Sequence, residues 1–182
     1  MKQTVLKGRA FGWASGFFAY GTVVHLLLFR YFVRWAYSGA SDTTFVNHPL
    51  TNIAMPILGG ICVSLLMLRL LNKASERDNM TASRIVFEAG LRGMGATVLA
   101  LELFYILASA YLAVFLSEVD AASHPPLLGR IAGAFILWFI SIQTYGLQPV
   151  ALSLPFSFVY GCVAAVPILR ATNKRFGRTA GS

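Results

Sequence analysis

Three polar side chains sit inside stretches that are otherwise apolar: His25, Glu102 and Gln143. Glu102 is the single ionisable group in the 25 residues from Gly93 to Ser117, and it lies near their middle. A charge at the centre of a membrane-spanning helix costs roughly 2.5 to 3.5 kcal/mol on insertion scales, so this carboxyl is expected to face protein or water and to have a partner. Gly95, Glu102, Tyr105 and Ser109 fall on one stripe at helical spacing, which turns Glu102 inward in this reading. An imidazole and a carboxyl that meet in apolar surroundings can exchange a proton near neutral pH. The candidate binding site is therefore His25, Glu102 and Gln143, with His25 and Glu102 as a proton-exchanging pair. The plainer alternative has Glu102 hydrogen-bonded only to fix helix register.

Arg30 is the other candidate partner for Glu102. Counting 1.5 Å per residue from Phe11 and from Gly93 puts it roughly 14 Å above the carboxyl, so it is expected to snorkel outward with Arg34. His48 and His124 each precede a proline at a loop end and are weak candidates for a metal or an axial haem role. Only Glu118 and Asp120 accompany them, with no nearby Cys, so no metal site and no cofactor are expected. Cys62 and Cys162 lie in apolar runs outside any CxxC pair, and read as small buried fillers. No G-x-S-x-G, H-E-x-x-H or phosphate-cradling glycine loop occurs, so no motif argues for an enzyme.

These side chains need a scaffold, and composition names its solvent. The chain of 182 residues is 57% hydrophobic and 12% charged, with mean hydropathy +0.66, whereas soluble domains carry about 25% charged residues. The expected fold class is all-α, a polytopic helical membrane bundle with four to five transmembrane segments. The net charge of +8 is spread over segments flanking apolar runs, where it sets topology; no nucleic-acid partner is expected.

A single transmembrane domain over residues 1–182 accounts for the whole chain, with spans at about 11–35, 49–68, 93–117, 127–147 and 150–169 and a cytoplasmic loop at 69–92. Trp13 and Trp35, 22 residues or about 33 Å apart, mark the two interfaces of the first span. The charge order before Phe11 resembles that of a signal peptide, but the apolar run is too long, so an uncleaved span is expected. Pro49 suits a first helical turn, Pro56 should bend the second span, and Thr81 or Ser83 should cap a helix leading into the third. Ile131 to Leu169 is 39 residues without a charge, about 58 Å as one helix and nearly twice the hydrocarbon core, so it must break near Gly146 to Pro155.

Twelve of the fifteen Lys and Arg lie before Phe11, between Arg69 and Arg92, or from Arg170 to Arg178. The rule that cytoplasmic flanks are basic puts all three inside, which needs an even number of crossings; helix lengths argue for five. The N-terminus and the 69–92 loop are expected to be cytoplasmic, and the side of the tail stays open. Gly16 and Gly21 recur as Gly90 and Gly95, and His48-Pro49 as His124-Pro125, at offsets of 74 to 76, a faint trace of a two-helix repeat.

Two functional readings result. The first is a small transporter or channel with an intramembrane proton-exchanging site, working as a homo-oligomer because one protomer encloses little space. The second is a non-catalytic accessory or scaffolding subunit of a larger membrane complex, supported by GxxxG motifs at Gly12/Gly16 and Gly129/Gly133. In both, the partners are the lipid bilayer and other membrane subunits or copies.

Overall fold

The computed structural model describes residues 10–33, 49–77, 79–115, 127–141 and 147–172, and every regular element among them is helical. Helix α1 spans Ala10–Leu28 and continues as a π-helical turn over Phe29–Val33. Helix α2 is Pro49–Glu76, α3 is Ala82–Phe115, α4 is Leu127–Ser141 and α5 is Leu147–Thr172. Four of them, α1, α2, α3 and α5, are long and apolar enough to cross a membrane, and the protein is a multi-pass helical membrane protein. Helix α4, with 15 residues, is about 22 Å long and falls short of the roughly 30 Å core.

In the last apolar stretch α4 is described as far as Ser141 and α5 from Leu147, and residues 142–146 lie outside the described residues. Pro149 is the third residue of α5 and Pro155 lies inside it. A proline in the first turn removes no intrahelical bond, and one inside a membrane helix is tolerated where neighbouring groups satisfy the backbone.

The stretch 69–92 is helical at both ends. Helix α2 runs on to Glu76, and α3 starts only six residues later. Two local devices make that turn. The Thr81 hydroxyl accepts from the Arg84 amide at 3.4 Å and so caps α3. Met80, just before the cap, and Ile85, at the fourth helical position, are both buried in the same cluster, a hydrophobic staple that fixes the entry of the helix.

Contacts fix the directions. Ser64 donates to the Ala14 carbonyl (3.0 Å), Arg92 to that of Leu66 (2.8 Å), and the Cys162 thiol to that of Val86 (3.6 Å). Each pair matches an early residue of one helix with a late residue of the next, so α1, α2, α3 and α5 alternate up and down. The end of the bundle at the 77–81 link is called the turn end here, and the opposite one the far end.

Small residues let the helices touch. A Cβ on Gly161 would strike the Ala89 carbonyl and come within 2.9 Å of the Gly90 Cα, so α3 and α5 meet backbone to backbone. A Cβ on Gly59 would occupy the ring of His25. By contrast, Gly12, Gly16 and Gly133 face open space within the chain. Gly21 is tight against Val63 while Gly95, its counterpart in the faint repeat, has one neighbour at 3.9 Å, so the matched glycines play unlike parts.

The main core fills the turn-end half around Val63, Met67, Leu70, Ile85 and Ile168. A smaller cluster of Phe29, Met55, Leu101, Phe104 and Tyr105 lies toward the far end, with Trp138 of α4 packed on it.

Candidate functional site

Where α1, α3 and α5 converge, four side chains form a buried polar cluster: His25, Thr97, Ser157 and Tyr160. His25 is 2% exposed and Ser157 fully buried. The His25 Nδ1 lies 2.9 Å from the Gly21 carbonyl. A carbonyl only accepts, so Nδ1 carries the hydrogen and Nε2 of the neutral ring holds the lone pair. That lone pair faces the Thr97 hydroxyl at 3.4 Å.

The Thr97 hydroxyl is the hub. It lies 2.8 Å from Ser157 Oγ, 3.0 Å from the Tyr160 hydroxyl and 3.3 Å from the Gly93 carbonyl. Ser157 donates to the Ser153 carbonyl and Tyr160 to that of Gly93, both at 2.8 Å. With those two hydrogens committed, the single Thr97 hydrogen has several acceptors within reach, His25 Nε2 among them. The arrangement is chemically two-way. A proton taken up at Nε2 would turn the ring into a donor to Thr97, whose own hydrogen would then swing to Ser157 or Tyr160.

Backbone geometry places these groups. The small side of α3, Ala89, Gly93 and Thr97, faces Ser153, Ser157 and Gly161 of α5, and the absence of bulk brings the hydroxyls together. Tyr160 also packs edge-on against the His25 ring at 5.7 Å between centroids, and its carbonyl accepts from the Tyr20 hydroxyl at 2.8 Å. On its other side it joins Tyr20, Leu28, Tyr31 and Phe156 in lining an apolar groove of about 990 Å³ between α1 and α5.

The residues singled out from the sequence are distributed differently. His25 is at the centre of the cluster, but no hydrogen bond or ion pair joins it to Glu102. Glu102 is half-buried one and a half turns further along α3 and makes no such contact with any described residue. Its stripe is Glu88, Leu91, Gly95 and Val98, which line a groove of about 540 Å³ beside Leu66. Arg30 is exposed in the π-helical turn and likewise contacts no charged described residue. Gln143, His48 and His124 lie outside the described residues. Among the described residues no three His, Cys, Asp or Glu gather as a metal site.

The depth count placed Arg30 well above Glu102, and contacts correct it. Arg30 is five residues beyond His25 and Glu102 five beyond Thr97, so the His25 to Thr97 approach sets both at one level, about 7 Å toward the far end. The count took both apolar runs to begin at the same depth. They do not, because α3 starts eleven residues before Gly93.

A second polar group gathers at the turn end. Glu88 accepts from Lys73 (2.7 and 2.9 Å) and from Arg84 (3.2 Å), and Arg92 approaches at 3.9 Å while donating to the Leu66 carbonyl. It ties α2 to α3 and is joined by no titratable group from elsewhere in the bundle among the described residues.

Sequence reasoning missed Thr97, Ser157 and Tyr160. The signal that could have found them is the four-residue spacing of small residues, Ala89-Gly93-Thr97 on one helix and Ser153-Ser157-Gly161-Ala165 on another. No protein family, curated protein or solved structure matches the chain.

Proposed function

We propose that this protein is a small membrane transporter or channel in which the His25, Thr97, Ser157 and Tyr160 cluster is the proton-exchanging centre. The observation that carries this reading is a histidine with its accepting nitrogen turned toward three mutually bonded hydroxyls, deep where three helices meet. Histidine changes charge near neutral pH, and a chain of hydroxyls that can reverse direction passes a proton on without moving the backbone. Buried ionisable groups in membrane helices are costly, and mark proton or ion paths by default.

Orientation follows from the alternation of the long helices. The start of α1, the 77–81 link and the end of α5 lie at one end, beside the three stretches, before Phe11, 69–92 and 170–178, that hold twelve of the fifteen basic residues. The basic-inside rule makes that side cytoplasmic, with α4 and α5 together making one crossing. A protomer of four long helices encloses no passage of its own, so the working form in this reading is an oligomer.

The test is proton flux into liposomes containing the purified protein under a pH gradient. His25→Gln and Thr97→Val should each lower flux at least tenfold while the chain keeps its helical circular dichroism. Flux unchanged in both variants would sink the reading. A second reading, an accessory subunit of a larger membrane complex, is favoured by one observation: Glu102 is half-buried on α3 and has no hydrogen-bond or ionic partner among the described residues of its own chain. Purification in mild detergent with stoichiometric foreign chains attached would select it.

A further inference from the structure

Arg30 and Glu102 have opposite charges, stand at one depth, and neither has an ionic partner among the described residues. Both lie within candidate spans, where an unpaired charge against lipid is expensive. Their directions follow from helical geometry. His25 on α1 and Thr97 on α3 point at each other through the centre of the bundle. Five residues further on, α3 has turned about 140° and α1, which enters its π-helical turn at Phe29, somewhat less in the same sense, so Arg30 and Glu102 both point away from the line that joins His25 to Thr97, on opposite sides.

We infer that the protein assembles head to tail with copies of itself, the Arg30 face of α1 in one copy seated against the Glu102 face of α3 in the next. The charges cannot meet within one chain, because the bundle stands between them. They meet across copies at matched depth, since every copy sits in the bilayer in the same way. Gly95, on the Glu102 stripe, has open space around it, with a lone neighbour at 3.9 Å, and admits a neighbouring helix closely. A contact between unlike faces is heterologous, and builds a ring where the rotation between copies closes and an open row where it does not. A buried Arg and carboxylate pair gains from the low dielectric and from the two-pronged fit of guanidinium to carboxylate.

The inference deepens the oligomer invoked above, and its test reads association without flux. Two differently tagged chains are made, Arg30→Glu and Glu102→Arg, and each is reconstituted alone and as an equal mixture in bilayer nanodiscs large enough for several copies. The native chain should self-associate. Each reversed chain alone should lose association at least tenfold, since like charges then face each other. The mixture should recover it, because copies that alternate restore opposite charges at every contact. One contact joins the two substituted positions, and the next joins the native Arg30 of one chain to the native Glu102 of the other. If a reversed chain does not fold, Arg30→Gln and Glu102→Gln each replace it, with the same tenfold loss expected from either alone. A monomeric native chain, undiminished association in the single variants, or folded reversed chains that stay apart when mixed would overturn the inference. A monomeric native chain would also remove the oligomer of the proposed function, whereas the variant and mixing results leave the His25 cluster untouched, and loss of flux in an oligomeric protein leaves this interface standing.

Discussion

Glu88 and Glu102 lie on the same stripe of α3, fourteen residues or about 21 Å apart, yet their surroundings are opposite. Glu88 is ringed by Lys73, Arg84 and Arg92. Glu102, deeper in the membrane where a partner matters more, has none among the described residues of its own chain. The far-end half repeats the pattern: Trp138 Nε1 is buried without a hydrogen-bond partner among the described residues, as is Thr22 Oγ1 beside Gly60 nearer the middle. Among the described residues, then, the carboxylate that water could solvate is paired and the one that lipid cannot solvate is not. The turn end pairs its charged groups within the chain, among the described residues, and the contact between copies proposed above would do the same for the α3 surface around Glu102.

Both glutamates depend on α3 being held rigidly against α5, and the sharpest way to break the comparison is to remove that support. Gly161→Leu forces a side chain into the Ala89 and Gly90 backbone and should cost about 3 kcal/mol or more, read as a collapse of the thermal midpoint in detergent. An unchanged midpoint would show that the close approach is not needed. The next effect separates the two carboxylates. Glu88→Lys sets four cations together and should lower protomer stability by about 2 kcal/mol, whereas Glu102→Lys should leave the isolated protomer within about 0.5 kcal/mol. Equal losses would erase the contrast between the two ends.

Thr97→Val keeps the shape of the cluster and removes its hub hydroxyl. Interhelical hydrogen bonds in membranes average about 0.6 kcal/mol in double-mutant cycles, so a loss of about 1 kcal/mol is expected, from a hydroxyl that serves several partners. A loss near zero, together with unaltered proton flux, would reduce the cluster to packing. The smallest effect belongs to Arg84, 57% exposed at its side chain; Arg84→Ala should change stability by no more than about 0.5 kcal/mol. A larger loss would mean that Glu88 relies on its exposed partner rather than on Lys73.

Much of this architecture is legible along the chain, because lipid imposes a length and a composition on any helix that crosses it. The apolar runs, the Thr81 cap and the basic flanks are all local signals. His25 is legible too, as a polar residue in an apolar run, but its partners are not: Thr97, Ser157 and Tyr160 are ordinary residues until two helices cross.

Local sequence therefore determined that this protein is a bundle of membrane-crossing helices and which residues are costly in lipid. Tertiary structure alone decided which of those residues meet. Register between helices is set by where glycines permit contact, Gly59 under His25 and Gly161 against Ala89 and Gly90, and a shift of one turn, about 5.4 Å, exchanges one set of neighbours for another. Counting along each run assumed a common starting depth; packing of small residues set the true one, placed His25 beside Thr97, and left Glu102 level with Arg30 on the opposite side of the bundle.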